Sequence, residues 1–306
     1  MEYRIAEIPL FLIPVLLTVR HESALVSVEF WEGLVIFLFF FAFGDLLNCL
    51  VDRDLDATYK PKLSQAVYGI GVRGVKLQAA LSAVAAMVLA VHLAWLRDRW
   101  LLVPATALAL FTAFAYSVPP LQLKGRGVWQ LAFYWLGLFA GPMLFTAMLF
   151  RDLPSWEVIA VALSYGLFQT GVLLVNTAED FPEDRQMGVR TVIIALGIRR
   201  GIWAACFFAV LGSGSLLTAF QAIHFHRRAD SAIAFWMVAM LALTATCVAT
   251  VVRRARLWKR VSCGAEADGI AAIKRAAKWV PLEITVGAIV SLMAALSAFL
   301  AVRDLP

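Results

Sequence analysis

Two triplets of oxygen-bearing side chains repeat one residue pattern at one spacing. Each consists of an asparagine followed by two aspartates at intervals of four residues. The triplets are Asn48, Asp52 and Asp56, and Asn176, Asp180 and Asp184. Because residues four apart share a face of a helix, each triplet can direct its oxygens towards one point. Such ligands suit hard divalent cations, and Mg²⁺ in turn suits phosphate groups. We therefore predict Mg²⁺ sites at both triplets.

Lysines and arginines follow the aspartates in both segments. In the first segment Arg53 lies between the two aspartates, and Lys60 and Lys62 follow them. In the second segment Arg185 and Arg190 follow the aspartates. Carboxylates first and cations afterwards suit a polyanion that is bound through a metal and contacted by basic groups on its outer oxygens. These five residues are predicted to bind a diphosphate.

A third polar segment, residues 116–127, reads Tyr-Ser-Val-Pro-Pro-Leu-Gln-Leu-Lys-Gly-Arg-Gly. Its two adjacent prolines end the preceding helix and stiffen the chain. Tyr116 therefore lies before the turn, with Lys124 and Arg126 beyond it. The tyrosine hydroxyl is expected to face the diphosphate or a developing carbocation, or else to belong to the aromatic belt at the membrane surface. Both basic residues are predicted to contact the diphosphate.

The elements that must position these residues are membrane helices. The chain is 62% hydrophobic and 16% charged, whereas a soluble domain carries roughly 25% charged residues. A spanning helix needs about 20 apolar residues, and this predicts an all-α polytopic membrane protein. Nine spans are predicted at 5–20, 31–51, 75–96, 100–117, 128–149, 154–177, 201–222, 231–252 and 279–301.

The distribution of positive charge predicts the orientation. Nine spans would put 20 of the 27 lysines and arginines on the side of the N-terminus. Because positive residues stay in the cytoplasm, the N-terminus and both triplets are predicted to be cytoplasmic, and the C-terminus to lie on the opposite side of an inner membrane. The basic loops show no nucleic-acid-binding fold, so the predicted partners are the lipid bilayer and small hydrophobic substrates, with no nucleic acid.

The domain organisation follows from the positions of the triplets. Residues 1–306 are expected to form a single transmembrane domain around a central cavity. The spans before the triplets are four apart and run in one direction, which predicts two parallel four-helix units, about 1–125 and 126–252, plus a last helix at 279–301. The basic loop 253–278 is interpreted as topogenic charge, with a lid as the alternative.

The reaction that fits these groups is loss of diphosphate from an allylic prenyl diphosphate. Mg²⁺ would stabilise the negative charge of the leaving group, and the hydrocarbon tail would lie in an apolar cavity. The resulting cation can meet an external aromatic or lipid-like acceptor, as in a prenyltransferase, or its own distal alkene, as in a terpene cyclase. A transporter is the third alternative, because acids within membranes also mark ion pathways.

The nine spans and the order of the motifs resemble the UbiA superfamily of intramembrane prenyltransferases. The motifs are Asn48-xxx-Asp52-xxx-Asp56, the Tyr116–Lys124 run, Asp180-xxx-Asp184 and Gly188-x-x-Thr191. The resemblance implies a nine-helix fold, Mg²⁺ and an isoprenyl diphosphate substrate. It implies that Asn48, Asp52, Asp56, Asp180 and Asp184 form the Mg²⁺–diphosphate set, supported by Tyr116, Lys124, Arg53 and Arg185. Among these, Tyr116, Lys124 and Asp56 are the predicted catalytic residues.

The first motif departs from the common family pattern at two places. Many members continue it with Arg-Pro-x-x-x-Gly, whereas residues 60–64 read Lys-Pro-Lys-Leu-Ser. Many also have an aspartate after the asparagine, where this chain has Cys49. The charges needed for diphosphate chemistry remain, but the hydrophobic acceptor is left unassigned.

Overall fold

A computed structural model describes residues 4–59, 61–227 and 233–303 of the chain. Within these ranges the regular structure is helical, with no strand. Short 3-10 turns lie at Glu22–Val26 and Leu123–Gly125. The helices are α1 (Arg4–Thr18), α2 (Val28–Tyr59), α3 (Pro61–Ile70), α4 (Val72–Arg97), α5 (Leu102–Ser117), α6 (Trp129–Ala132), a π-helical stretch (Phe133–Ala140), α7 (Gly141–Met148), α8 (Trp156–Glu179), α9 (Phe181–Met187), α10 (Val192–Leu196), α11 (Ile198–Arg227), α12 (Ile233–Cys263), α13 (Glu266–Ala277) and α14 (Val280–Arg303).

Seven described helices are long and apolar enough to cross a membrane, when α6, the π-helical stretch and α7 are taken as the one continuous helix Trp129–Met148. The predicted spans 5–20 and 100–117 correspond to shorter apolar helices, Ala6–Thr18 and Leu102–Ser117. The total of nine spans therefore remains a prediction. The helical class itself agrees with the sequence-based expectation.

Two segments outside the predicted spans are helical. Helix α2 runs for 32 residues and continues through the acidic segment to Tyr59, because no glycine or proline interrupts it between residues 45 and 59. Pro61 then opens α3 at the first helical position, where its missing N–H is no loss. Likewise, the basic segment 253–278 consists mainly of the end of α12 and of α13.

The chain divides into two compact units. The smaller unit is Leu25–Lys124, and the larger unit is Met1–Ala24 with Gly125–Pro306. The boundary at residue 124 lies next to the predicted division at 125, but the larger unit also contains α1 and α14. The predicted pair of parallel four-helix units stays a prediction.

The smaller unit contains α2 to α5. An apolar cluster of Leu50, Val67 and Val75 joins α2, α3 and α4. Leu46 and Cys49 of α2 pack against the same cluster. Because these two and Leu50 follow an i, i+3, i+4 pattern, one face of α2 is anchored next to the first triplet.

In the larger unit, α8 is the most buried of the candidate spans, since 72% of an apolar 18-residue stretch of this helix is buried inside the protein. Small residues allow α11 to approach it closely. A side chain at Gly171 of α8 would strike the backbone of Ala209, and one at Gly212 of α11 would strike the backbone of Phe168. Small residues commonly set such close contacts between membrane helices.

We expect Gly171→Leu to destabilise the larger unit by about 3 kcal/mol, the upper end for overpacking a core. The side chain would meet backbone atoms of α11, including the Ala205 carbonyl oxygen 2.9 Å from the new Cβ. Gly214→Leu is the matched control, because nothing lies within 4 Å of a Cβ there. Thermal melting in detergent measures the stability of both variants, and equal melting temperatures for the two would contradict the packing argument.

One guanidinium ties four helices together at the end of α11. Arg227 pairs with Glu157 at the start of α8, and both side chains are only 9% exposed. Arg227 also donates to the Leu17 carbonyl of α1 at 2.6 Å and to the Ala298 carbonyl of α14 at 3.2 Å. A charge near a membrane core is costly unless it is paired, and these contacts satisfy it.

Candidate functional site

The first triplet lies on a single helix. Asn48, Asp52 and Asp56 are all half-buried residues of α2. The predicted i, i+4, i+8 stripe is therefore present in the structure. Their assignment as metal ligands stays a prediction at this point.

Lys124 closes over this stripe from the segment that follows α5. Its Nζ donates to both carboxylate oxygens of Asp52, at 2.5 and 2.6 Å, and to Oδ1 of Asn48 at 3.1 Å. The Ser117 hydroxyl also donates to the Asn48 oxygen, at 3.3 Å. The structure thus brings together the start of the first triplet and the basic residue predicted to work with it.

The ammonium of Lys124 shows where a cation is stabilised in the smaller unit. Three oxygens from Asn48 and Asp52 converge on it, and oxygen donors of this type fit Mg²⁺. Among the residues that the structure describes, no three His, Cys, Asp or Glu side chains are grouped to hold a metal ion. Mg²⁺ is commonly held by one or two carboxylates, with water and substrate phosphates completing its shell, and this donor set fits that mode.

Arg53 is engaged by its own helix and by the residue that follows it. Its guanidinium donates to the Leu50 carbonyl at 2.7 Å and pairs with Asp54 at 3.1 Å. The Tyr68 hydroxyl of α3 donates to the same aspartate at 2.5 Å, and this hydrogen bond raises the pKa of Tyr68 above its ordinary value. Asp54 was not predicted as a site residue, and its role here is to tie α3 to α2.

The remaining basic residues and the tyrosine predicted from the first and third polar segments are placed as follows. Tyr116 is half-buried in the last turn of α5, which ends at Ser117 before the prolines, as the sequence predicts. Lys62 and Arg126 are exposed. Lys60 lies outside the described residues.

The second triplet departs from the continuous helix that its spacing suggests. Asn176 lies in α8, Asp180 lies at the junction, and Asp184 lies in α9. Pro182 explains the break, because it has no N–H to continue the hydrogen-bond pattern of α8. The Asp184 amide still donates to the Asp180 carbonyl at 2.8 Å, so the two aspartates remain one helical turn apart.

The turn after α9 folds back onto Asp184. Gly188 ends α9 with a φ of 68°, a left-handed conformation that glycine adopts readily. The Val189 amide then donates to the Asp184 carbonyl at 3.0 Å, and the Thr191 hydroxyl donates to its carboxylate at 2.9 Å. Gly188 and Thr191 of the fourth motif therefore shape the surroundings of this aspartate.

A buried glutamine that the sequence reasoning missed supports the same turn. The Oε1 of Gln130 accepts the Val192 amide at 2.9 Å, and its Nε2 donates to the Tyr134 hydroxyl at 2.8 Å. That hydroxyl also contacts the Thr177 hydroxyl at 3.0 Å. The available signal was an amide side chain at the start of an apolar span, where an unpaired polar group is costly.

The predicted diphosphate ligands of the second segment lie at the protein surface. Arg185 pairs with Glu266 of α13 at 3.4 Å, and Lys274 of α13 pairs with Glu183 at 3.0 Å. Arg190 is exposed, and its carbonyl accepts the Gly127 amide at 2.8 Å. Surface pairs of this kind contribute about 0–1 kcal/mol, so they leave Arg185 available to an anion.

These two ion pairs connect α13 to the acidic segment, so residues 253–278 are mainly helical and are held in place by specific contacts. Arg253 and Arg254, which lie in α12, both donate to Glu283 of α14. Arg254 is 1% exposed. Part of the charge predicted to be topogenic therefore makes specific contacts within the larger unit.

The model of the UbiA prenyltransferase family matches residues 8–267. Two curated relatives are named bacteriochlorophyll synthase 33 kDa chain. The one from Cereibacter sphaeroides is 32% identical over 124 residues, 39% of each chain. The one from Rhodobacter capsulatus is 27% identical over 177 residues, 56% of each chain. The alignments thus span 39% and 56% of the lengths of these relatives.

Solved structures share the fold at low sequence identity. A UbiA homologue from Archaeoglobus fulgidus bound to DMAPP and Mg²⁺ has a TM-score of 0.60 at 15% identity, over 100% of both chains. A second structure of a UbiA homologue from Archaeoglobus fulgidus, bound to GPP and Mg²⁺, has a TM-score of 0.57 at 16% identity, over 95% of this chain and 99% of the other. A digeranylgeranylglyceryl phosphate synthase gives 0.61 at 15%, over 95% and 93%. The predicted all-α polytopic membrane class is confirmed.

Proposed function

This chain belongs to the UbiA prenyltransferase family, and we propose that it is a Mg²⁺-dependent enzyme that transfers an isoprenyl group from its diphosphate to a hydrophobic acceptor. The family predicted from the motifs is confirmed, and the chain is an integral membrane protein. The observation that carries the proposal is the set of three oxygens from Asn48 and Asp52 around the Lys124 ammonium. It marks a point where α2 stabilises a cation.

The proposed reaction is ionisation followed by capture. The C1–O bond of the prenyl diphosphate breaks, and its electron pair leaves with the diphosphate. C1 then bonds to a nucleophilic atom of the acceptor, which loses a proton. Mg²⁺, when bound, would stabilise the charge that develops on the diphosphate.

The residues of the chain would divide this work. In the smaller unit, Asn48, Asp52 and Asp56 would hold the ion, and Lys124 would donate to the diphosphate. Tyr116, Lys124 and Asp56 are proposed as the catalytic groups. The basic residues proposed to contact the diphosphate are Arg53, Lys60 and Lys62 of the smaller unit, and Arg126, Arg185 and Arg190 of the larger unit. In the larger unit, the proposed metal ligands are Asn176, Asp180 and Asp184. The membrane environment would exclude water from the cation.

The support for divalent chemistry comes from two directions. The donor set on α2 suits a hard cation, and two solved structures of this fold from Archaeoglobus fulgidus hold GPP or DMAPP together with Mg²⁺. We further propose an inner-membrane location with the N-terminus and both acidic segments in the cytoplasm, and the C-terminus on the opposite side. The asymmetry of 20 against seven basic residues supports this orientation.

We expect removal of divalent ions with EDTA to abolish diphosphate release, and added Mg²⁺ to restore it. The purified protein is incubated with prenyl diphosphates of several chain lengths, and diphosphate and prenyl products are followed by mass spectrometry. Full turnover in EDTA would contradict the proposal. Ion flux through the protein in liposomes, without turnover of any prenyl diphosphate, would support a transporter instead.

The same assay separates transfer from cyclisation. The first acceptors to add are a bacteriochlorophyll precursor, because the curated relatives are named bacteriochlorophyll synthase, then aromatic and lipid alcohols. A prenylated acceptor supports the transferase. A cyclic hydrocarbon formed without any acceptor would overturn it in favour of a terpene cyclase.

A further inference from the structure

We propose that Gln130 is a positioning residue that orients the Asp184 carboxylate for metal binding by way of Thr191. The inference rests on the proposed function, because it assumes that Asp184 is a Mg²⁺ ligand. It concerns the larger unit alone. Gln130 is expected to touch neither substrate nor metal.

The first step is the orientation of the Gln130 amide, which its neighbours fix. The side chain is 3% exposed. Its Oε1 faces the Val192 N–H at 2.9 Å, and its Nε2 faces the Tyr134 hydroxyl at 2.8 Å. The flipped amide would set an NH₂ group against the backbone N–H, donor against donor, so only one orientation satisfies both contacts.

The second step is the helix that Gln130 anchors. Val192 is the first residue of α10, which has only five residues and no side-chain cap. The first N–H groups of a helix have no partner within it, and Gln130 supplies the partner for this one. The Thr191 carbonyl accepts the Ala195 amide at 2.9 Å within this short helix, and the Gln130 side chain holds the N–H of the same Thr191–Val192 peptide from outside the helix.

The third step leads from this peptide to the carboxylate. Thr191 is 7% exposed and is the residue just before α10. Its hydroxyl donates to Oδ2 of Asp184 at 2.9 Å. Fixing the backbone at Val192 therefore fixes the hydroxyl that orients the carboxylate. Groups that hold a metal ligand from behind commonly change metal affinity 10- to 100-fold when they are removed.

The fourth step extends the hydrogen-bond network from Gln130 to α8, beside the first residue of the second triplet. The Tyr134 hydroxyl contacts the Thr177 hydroxyl at 3.0 Å, and Thr177 follows Asn176 in α8. Tyr134 lies in the π-helical stretch Phe133–Ala140, a backbone form that occurs often at functional sites. The network thus reaches both flanks of the second acidic segment, through α8 and through the turn before α10.

The test measures Mn²⁺ binding by electron paramagnetic resonance, in purified protein without prenyl diphosphate. We expect Gln130→Leu and Thr191→Val to weaken binding at the site by about 10- to 100-fold, whereas Thr191→Ser, which keeps the hydroxyl, binds like the wild type. Gln130→Leu should add no further loss in an Asp184→Ala background, because the ligand that it orients is already absent. An additive loss in the double variant would overturn the proposal.

Gln169→Leu is the matched control for simple loss of stability. Gln169 is also a buried glutamine bonded to a tyrosine hydroxyl, that of Tyr165 at 2.9 Å, and it donates to the Ile284 carbonyl at 3.2 Å. We expect it to lower the melting temperature while leaving Mn²⁺ affinity unchanged. An equal loss of affinity in Gln169→Leu would show a structural role and overturn the proposal.

Failure of this inference and failure of the proposed function give different results. Normal Mn²⁺ binding in both Gln130→Leu and Thr191→Val, alongside divalent-dependent turnover in the wild type, would overturn the positioning role only. Absence of Mn²⁺ binding and of divalent-dependent turnover in the wild type would overturn the proposed function and this inference with it.

Discussion

Replacing Asp52 with alanine should slow diphosphate release by about 1,000-fold, since a metal ion contributes several kcal/mol of charge stabilisation to such a step. The protein should still fold. Asp52 is half-buried, and its carboxylate is outside the apolar cluster of Leu50, Val67 and Val75 that holds α2 to its neighbours. The measurement is release of diphosphate from a prenyl diphosphate at saturating Mg²⁺, with melting temperature recorded in parallel.

Asp54→Ala is the matched control for this prediction. Asp54 is two residues away on the same helix, and its oxygens contact Tyr68 and Arg53. Its loss should loosen the contact between α3 and α2 and leave the rate of diphosphate release within a few-fold of wild type. Near-normal turnover in Asp52→Ala would contradict the metal assignment on α2. An equal loss of diphosphate release in both variants would point to a structural cause.

The sequence predicted the parts of the site that depend on local periodicity. The stripe of Asn48, Asp52 and Asp56 lies on one helix because nothing between residues 45 and 59 breaks it. The same spacing at the second triplet did not give one helix, because Pro182 interrupts it. Spacing alone predicts a common face only where the residues between can all remain helical.

Contacts between distant parts of the chain could not be predicted in this way. The bond between Lys124 and Asp52 joins residues 72 apart, and that between Gln130 and Val192 joins residues 62 apart. Periodicity describes which face of an element is polar, but it does not say which other element comes to rest there. The segment 253–278 shows a related limit. Its position outside the apolar spans predicts a loop, but the helix propensity of its alanines and arginines was the stronger local effect.

Replacing Lys124 with methionine should change metal binding and turnover in opposite directions. In the structure, the Lys124 ammonium donates to the oxygens of Asn48 and Asp52, which are the proposed metal ligands. A cation that binds these oxygens must first displace it. Hydrogen bonds to charged groups contribute about 1.5–3 kcal/mol, so removing this competitor should tighten Mn²⁺ binding without substrate by about 10- to 100-fold. Methionine keeps the length and apolar stem of the side chain.

The same substitution should slow diphosphate release, because the proposed partner of Lys124 during the reaction is the leaving group. Loss of one such donor costs about 100- to 1,000-fold in rate. Lys76→Met is the matched control, an exposed lysine in the same unit that should change neither quantity. Mn²⁺ titration and product release are measured on the same preparations. Weaker Mn²⁺ binding in Lys124→Met would show that the lysine assists the metal site, and an unchanged rate would remove it from the reaction.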